Sequence, residues 1–192
     1  MHKQLFIQDF ADYQEQETLK AEAKARKLTD VEIRNPAIAG ALNKIANESG
    51  FDVATIEPSV EKWFIENQRK EMRVKSDYGR DVNVEIPVAD ANIPFRGASK
   101  SFELKPTSRL EIDTQAAIRP DAILITNDDD EHFEGKAKTF VKRASTNLDN
   151  LRTDMERMRT AIRAKLQQLT DARIADLDNQ KRIDGTRQMK SR

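Results

Sequence analysis

Two carboxylates and a lysine in the second half of the chain have residue types and a spacing suited to metal-dependent hydrolysis. Asp121 follows a proline and precedes a short apolar run, and Glu134 and Lys136 come after a polar turn, with one glycine between them. Carboxylate oxygens are hard ligands for Mg²⁺, and a lysine beside the metal can position or activate the attacking water. These three residues are therefore the catalytic candidates of the chain.

The order of Pro120-Asp121, an apolar strand, a turn and Glu134-Gly135-Lys136 resembles the motif of the PD-(D/E)xK nuclease superfamily. The resemblance implies that Asp121 and Glu134 hold Mg²⁺ and that Lys136 is the catalytic lysine. The family places its second acid and its lysine on a buried apolar strand, whereas residues 131–138 of this chain are mostly polar or charged. An acidic cluster that opens a helix is the alternative, and it fits the local sequence better.

Two segments of the first half resemble DNA-binding helices. Residues 42–51 resemble the first helix and turn of a helix-turn-helix, and residues 63–70 resemble the recognition helix of a homeodomain. The resemblance implies that Asn67 reads bases, but one extra residue separates it from the Trp-Phe pair, which rotates it by about 100° on a helix. Residues 36–73 carry five basic and six acidic side chains, which does not suit a phosphate-binding surface. The alternative is that Trp63 and Phe64 are core residues.

Two charge clusters lie in the C-terminal third of the chain. The acidic run 128–132 could bind a divalent cation, but it lacks the alternating acids and the glycine of a calcium loop, which favours a solvated helix cap and no metal. The basic cluster could contact nucleic-acid phosphates, or it could be a solvated helix face with intrahelical ion pairs. Its members are Lys142, Arg143, Arg152, Arg157, Arg159, Arg163 and Lys165. We predict no cofactor, because the chain has no glycine-rich phosphate loop.

Composition narrows the range of chemistry further. The 192-residue chain has no cysteine and two histidines, which excludes disulfides and cysteine nucleophiles and disfavours a histidine-rich metal site. Its net charge is zero, but residues 134–192 carry 15 basic and 8 acidic side chains, whereas residues 1–133 carry 18 and 25. A basic C-terminal segment can bind nucleic acid, an acidic partner or the acidic rest of its own assembly. Since there is no signal peptide and no long apolar run, we expect a cytoplasmic protein without a membrane span.

The first part of the chain, residues 1–76, is predicted to be a helical region. Apolar residues at steps of three and four indicate a first helix over residues 2–28. Asn35-Pro36 predicts the start of a second helix, which ends at Gly50. A third helix is predicted from Glu57-Pro58 to about Met72.

The middle of the chain, residues 77–127, changes to the alternation that is typical of strands. Residues 82–88 alternate apolar and polar side chains, and Pro87 among them predicts an edge strand. Shorter alternations cover residues 102–104 and 110–112, and the apolar run 122–125 predicts the best-buried strand. The connections are too short for parallel crossovers, so we expect a small antiparallel sheet of about three to five strands.

The C-terminal part, residues 128–185, is predicted to be one long amphipathic helix from about Glu131 to Ile183, with a frayed tail over residues 186–192. Heptad spacing up to Ile162 and an eleven-residue repeat beyond it indicate a coiled-coil-like helix with little supercoil in its second half. The predicted interface residues, which we call the seam, are Leu148, Leu151, Met155, Met158, Ile162, Leu166 and Leu169. Because the rest of the chain looks too small to cover this stripe, we expect a second copy or another protein to cover it. The alternative is that the helix covers the sheet of its own domain.

Together these patterns predict an α+β protein with N-terminal helices, a small antiparallel sheet and a long C-terminal amphipathic helix. The expected function is that of a non-enzymatic assembly, adaptor or inhibitor-type protein that oligomerises or docks through its helical seam, and its source could be cellular, viral or a mobile element. One alternative is a metal-dependent nuclease that uses Asp121, Glu134 and Lys136. The other is a non-catalytic protein that binds nucleic acid through the basic C-terminal face.

Overall fold

The structure is a computed structural model that describes residues 4–75, 80–128 and 132–190. It is an α+β protein with helices, a small antiparallel sheet and a long C-terminal helix, which confirms the predicted fold class. The chain divides into two compact units, of which the first comprises Met1–Phe10 and Asp52–Thr153 and the second Ala11–Phe51 and Asp154–Arg192. None of the helices in the described ranges has an apolar stretch of membrane-spanning length.

The described elements alternate between short strands and helices. In chain order they are β1 (Gln8–Asp9), α1 (Phe10–Ala25), α2 (Asp30–Ile33), α3 (Ile38–Asn47), β2 (Thr55–Ile56), β3 (Phe64–Lys75), β4 (Asp81–Arg96), β5 (Leu104–Lys105), β6 (Ala116–Ile118), β7 (Ala122–Asp128) and α4 (Phe133–Lys190). The antiparallel sheet has the order β2-β4-β7-β6, and β3 pairs with β4 on the same side as β2. The strand predicted at residues 102–104 is reduced to β5, which pairs in parallel with β1.

Strand β4 is the centre of the sheet, and Pro87 lies where its central part ends. The predicted edge position holds for residues 82–87, which pair with β3 alone, whereas β4 continues beyond the predicted strand and its residues 88–92 pair with β3 on one side and with β7 on the other. Pro87 pairs only with Arg69 of β3, since the ladder with β7 begins one residue later. A proline has no amide hydrogen for a second neighbour, which fits this position. Residues 123–125 of β7 are buried, and this confirms the prediction of a buried strand.

The third predicted helix is wrong, because the segment after Glu57 forms a short 3₁₀ turn (Val60–Lys62) and then β3. Twelve registered pairs join β3 to β4. Residues such as glutamine, arginine, lysine and glutamate favour helix locally, but cross-strand pairing outweighs a propensity of a few tenths of a kcal/mol per residue. Trp63 is a core residue whose ring N–H donates to the carbonyl of Glu57 at 2.9 Å. The homeodomain resemblance therefore has no recognition helix in the structure.

The core of the first unit lies between the sheet and the first part of α4. On β4 the buried residues of this core are Ala89, Ala91, Ile93 and Phe95, which alternate as one face of a strand must. On α4 they are Phe133, Ala137, Phe140, Val141, Ala144 and Leu148, at steps of three and four. The two periodicities, two along the strand and about 3.6 along the helix, therefore meet in one apolar cluster.

The predicted strand at residues 110–112 is wrong, because side chains of α4 hold this segment in place of another strand. The side-chain amide of Asn147, which is fully buried, donates to the carbonyl of Leu110 at 2.9 Å and accepts from its N–H at 2.7 Å. Asn150 and Arg143 donate to neighbouring carbonyls of the same segment at 2.8 and 3.2 Å. Because these residues recur at steps of four and three, they lie on one face of α4. This face supplies hydrogen-bond partners for the backbone of the segment.

The second unit contains helices α1 to α3 and the second part of α4. Helix α1 begins at Phe10 and not near residue 2 as predicted, because Gln8 and Asp9 form β1. Helix α3 begins at Ile38, shortly after the predicted start, and Asn35 precedes it as a turn residue that accepts the N–H of Ala37 at 2.8 Å. The turn after α3 contains Gly50 with φ +87, where a side chain would be strained.

Helix α4 is continuous from Phe133 to Lys190, which confirms the prediction of one long C-terminal helix. Its start lies two residues after Glu131, and it continues past Gly185, so this glycine does not end it. The predicted tail over residues 186–192 thus contains helix up to Lys190. The terminal serine and arginine, and most of the acidic run before α4, lie outside the described residues.

Candidate interaction surface

The seam of α4 is buried by this chain itself. Six of its seven residues are 1% exposed or less, and Leu169 is half-buried. The premise that only a partner could cover this stripe is therefore wrong. These six side chains form intramolecular core, which leaves them unavailable as an exposed docking surface in the folded chain.

The three nuclease candidates do not converge on one site. Asp121 precedes β7, and Glu134 lies in the first turn of α4, beyond the far end of that strand. Seven strand residues span about 23 Å at roughly 3.3 Å each. Glu134 pairs with Lys138 at 2.5 Å, and it cannot share a helix face with Lys136, because residues two apart point in different directions. Among the described residues no three histidine or carboxylate side chains are grouped as a metal site would require.

Lys136 lies at a shallow cleft beside the first turns of α4. The cleft has a volume of about 520 Å³, with Phe140 and Ile112 in its wall and Lys136, Arg143 and Asp113 among its polar lining. Neither Asp121 nor Glu134 contributes to it. The cleft therefore does not rebuild the predicted metal centre.

Three of the five arginines of the basic face, Arg143, Arg152 and Arg159, donate to backbone carbonyls of the chain itself. In the first unit, Arg152 donates to the carbonyl of Ala54 at 2.6 Å. In the second unit, Arg159 donates to the carbonyl of Ser49 at 3.1 Å, just after the end of α3. The last carbonyls of a helix have no partner within it, so a guanidinium there completes the hydrogen bonding of the fold. This accounts for part of the C-terminal basic excess without a nucleic acid.

The β3–β4 hairpin extends well beyond the rest of the sheet. We call residues 69–75 and 81–87 the tip, and residues 64–68 and 88–92 the root. The tip strands pair with each other from Arg69–Pro87 to Lys75–Asp81, whereas β7 pairs with β4 only in the root and beyond it. A two-stranded ribbon by itself is only marginally stable in water. The tip is therefore the part of the sheet with the least cover.

The apolar residues of β4 change faces between Val88 and Ala89. In the root and beyond, the core side chains are odd-numbered, from Ala89 to Phe95. In the tip, the apolar side chains are even-numbered: Val82, Val84 and Ile86. Because alternate residues of a strand point to opposite faces, the tip turns its apolar side away from the face that packs on α4. We call the even-numbered side of the hairpin the outer face and the odd-numbered side the inner face.

The inner face of the tip is charged and balanced. Its three basic and three acidic residues are Arg69, Arg73, Lys75, Glu71, Asp81 and Glu85. Arg73 pairs with Asp81 at 3.0 Å, and Arg69 pairs with Glu85 at 3.5 Å. Such exposed pairs contribute little to stability, but they suit a surface that faces water.

The outer face is apolar at both of its ends. Val82 and Val84 in the tip are 40% and 41% exposed, and Phe64 in the root is 63% exposed. Lys70 on this face lies 3.5 Å from the carboxylate of the buried Asp90, which also accepts the hydroxyl of Thr126 at 2.5 Å. An antiparallel sheet normally turns polar side chains to water, so these three exposed large apolar side chains make the outer face the candidate interaction surface.

The sequence predicts the alternation of residues 82–88, but the exposed outer face of the tip was not predicted from it. The signal was present, because the apolar positions are even up to Val88 and odd from Ala89 onward. A strand that packs one face on a single core keeps its apolar residues at alternate positions of one parity.

No known protein family, curated protein or solved structure matches the chain.

Proposed function

We propose that this chain is a non-enzymatic interaction protein of the assembly, adaptor or inhibitor type, which contacts its partner through the outer face of the β3–β4 hairpin. The change of apolar phase between Val88 and Ala89 carries this proposal. The root buries its apolar side against α4, and the tip presents valines on the opposite side. Removing apolar surface from water contributes about 25 cal/mol per Å² of favourable free energy. Covering the apolar side chains of the tip with a protein surface therefore favours binding.

The proposal moves the contact surface away from the seam of α4. Five of the seam residues from Leu148 to Ile162 are almost completely buried, as is Leu166, so docking through them would require part of the fold to open. Opening costs free energy that docking at the exposed hairpin does not require. We therefore assign to the hairpin the partner contact that the sequence predicted for α4.

Charge supports a protein partner in preference to a nucleic acid. The inner face of the tip has equal numbers of basic and acidic residues, and the cation on the outer face, Lys70, lies beside Asp90. Phosphate binding needs an excess of cations, since its energy comes from the release of counterions. The outer face, which carries Glu66 and Asp90 besides Lys70, offers no such excess.

The test compares two neighbouring residues of β4 that point to opposite faces. Val84→Asp places a charge on the outer face, and Asn83→Asp places the same charge on the inner face opposite Arg73. Proteins retained from the native source by the tagged wild-type chain should be retained by Asn83→Asp and lost by Val84→Asp, while both variants keep the wild-type circular dichroism spectrum. If the retained proteins, further copies of the chain included, are the same for all three, the outer face is not the contact surface.

A further inference from the structure

One long edge of β3, which we call the free edge, has no strand beside it in the part of the chain that the structure describes. Strand β3 pairs with β4 alone, and the twelve consecutive pairs of this ladder contain no bulge. Its described side chains are exposed, except for the half-buried Gln68. The strand also has no proline and no glycine. Bulges and prolines prevent an edge from pairing with another strand, so this edge is open to one.

The backbone groups at the free edge belong to the odd-numbered residues of β3. The carbonyl of Pro94 accepts the N–H of Glu57 at 2.9 Å, and the N–H of Phe95 donates to the carbonyl of Asp121 at 2.9 Å. Even-numbered residues of β4 therefore turn their backbone groups to the side of β2 and β3, and odd-numbered residues turn them towards β7. Registered partners of an antiparallel ladder point towards each other or away from each other together. The odd-numbered residues of β3 therefore point to the free edge.

Glu66 lies on the outer face beside this edge and opposite a like charge. Its registered partner on β4 is Asp90. Lys70 lies 3.5 Å from the carboxylate of Asp90, whereas Glu66 makes no ion pair with any described residue. Like charges directly opposite each other destabilise a strand pair, and opposite charges stabilise it. A strand that pairs with the free edge is therefore favoured if it brings a cation next to Glu66.

We propose that a second copy of this chain supplies this cation, by pairing its own β3 antiparallel along the free edge about a twofold axis at Gln68, perpendicular to the sheet. Glu66 of each copy then lies opposite Lys70 of the other. Odd-numbered residues face odd-numbered residues, as their backbone directions require, and form roughly eight hydrogen bonds over residues 65–71. The overlap ends there because residues 60–62 form a 3₁₀ turn. This contact goes beyond the proposed function, since it uses the edge and leaves the outer face free.

The charges of β3 select this register among the symmetric ones. Axes at residues 69, 70 and 71 set Arg69, Lys70 and Glu71, respectively, opposite themselves. An axis at residue 67 brings no opposite charges together, because Glu66 then faces Gln68. The axis at Gln68 sets two acid–base pairs opposite each other and no like charges, which favours it.

The pairing also enlarges the surface on which the proposed function depends. Because the axis is perpendicular to the sheet, the outer faces of both hairpins lie on the same side. The 12 residues of β3 span about 40 Å, and two strands are about 10 Å wide, which gives roughly 400 Å² for one hairpin. Two hairpins offer roughly 800 Å², which is the area that each partner contributes to a standard interface. Four strands are also more stable in water than a two-stranded ribbon.

Sedimentation of the full chain over a range of concentrations tests the pairing. The mass should rise from the 22.0 kDa of one chain towards twice that value. Asn67→Pro removes an N–H that points to the free edge and spares the ladder with β4, so it should weaken the dimer at least about tenfold through two lost hydrogen bonds. Val84→Asp, on β4 and away from the edge, should leave the dimer within about threefold. A chain that is monomeric at every concentration, or a dimer indifferent to Asn67→Pro, overturns the proposal.

A charge exchange tests the register without a change to the backbone. Glu66→Lys should weaken the dimer at least about tenfold, because it sets a lysine against Lys70 of the second copy. Adding Lys70→Glu should restore the dimer to within about threefold, and residue 66 then provides the cation beside Asp90. A double variant as weak as Glu66→Lys contradicts the proposed register.

The absence of cysteine allows a geometric test with single introduced thiols. Gln68→Cys lies on the axis in a non-hydrogen-bonded pair, where the two Cα atoms are about 4.5 Å apart and a disulfide can form. In Arg69→Cys, the matched control, the two cysteines are diagonal neighbours about 7–8 Å apart, too far for an unstrained disulfide. Air oxidation should link Gln68→Cys into a dimer and leave Arg69→Cys unlinked. A disulfide at residue 69, or none at residue 68, overturns the axis at Gln68.

The two proposals can fail separately. Val84→Asp should lose the other retained proteins and still bind further copies of the chain, because its edge is intact. A chain that stays monomeric but retains proteins through the outer face overturns the pairing alone. A dimer whose other retained proteins are indifferent to Val84→Asp overturns the proposed function alone.

Discussion

The seam of α4 and the tip of the β3–β4 hairpin both carry a periodic row of apolar side chains, yet the fold treats them in opposite ways. Six seam residues are buried by the chain, whereas Val82 and Val84 are each about two-fifths exposed. The longer and more regular stripe is core, and the shorter one remains at the surface. The length of an apolar stripe therefore does not indicate whether it needs a partner, because cover depends on which elements pack on it.

The largest difference between the two regions is expected for an introduced charge. Met158→Asp puts a carboxylate into the seam at a fully buried position and should lower the free energy of unfolding by about 4 kcal/mol or more. Val84→Asp should lower it by less than about 1 kcal/mol, because the side chain reaches water. Urea unfolding followed by circular dichroism measures both. Comparable losses would mean that the tip is as well covered as the seam.

A second difference concerns hydrogen bonds on α4. Asn147→Ala removes the only side chain described as bonding both backbone groups of Leu110, and it should cost about 2 kcal/mol because buried polar groups lose their partners. Asn150→Ala, at an exposed position that bonds one carbonyl, is the matched control and should cost less than about 1 kcal/mol. The same denaturation assay compares them. Equal losses would contradict the special role of the buried amide.

A third test measures how the free energy of unfolding depends on pH, which reports on the burial of Tyr13 in the second unit. Burial raises the pKa of Tyr13 to about 12, and the negative charge of Glu17 adds to this increase, while Arg159 opposes it. The unfolded tyrosine loses its proton near pH 10, so between pH 10 and 12 the unfolded state binds fewer protons and stability falls as pH rises. At pH 11 this loss should be about 1.4 kcal/mol in the wild type and absent from Tyr13→Phe, measured relative to pH 8. Parallel curves for the two proteins would argue against a buried tyrosine.

The smallest expected effect concerns the arginines of α4. Arg159→Met should cost about 1 kcal/mol, because the carbonyls of Ser49 and Phe51 lose their charged donor. Arg157→Met, whose side chain is 74% exposed, should change the free energy of unfolding by no more than about 0.5 kcal/mol. Thermal unfolding of both variants measures the difference. A larger effect at residue 157 would show that the two arginines had been assigned the wrong roles.

The predictions that depended on strong local patterns were confirmed. The continuous helix α4 follows from apolar residues at steps of three and four over some fifty positions, and the buried strand β7 follows from its apolar run. The prediction of a third helix failed because the residues of β3 favour helix locally but pair with β4. The prediction of a strand at residues 110–112 failed because the hydrogen-bond partner of Leu110 is the side chain of Asn147, which lies 37 positions away.

The candidate surface could be predicted from the sequence only in part. The even-numbered valines were visible, but a row of alternate apolar residues does not say which face of a strand meets the core. The nuclease candidates were selected by spacing along the chain, and the strand between Asp121 and Glu134 keeps them apart. Arginines of the basic face turned out to bind carbonyls that are distant in sequence.

By itself the sequence determined the α+β class, the long C-terminal helix and the alternation in β4, because each depends on periodicities of two or about 3.6 that the local backbone imposes. The tertiary structure alone decided that the seam is core, that the Arg152 and Arg159 side chains complete the backbone of their own units, and that the tip presents its valines on the side opposite α4. These outcomes depend on which distant segments come into contact, and such contacts follow from burial and hydrogen bonding in the folded chain as a whole.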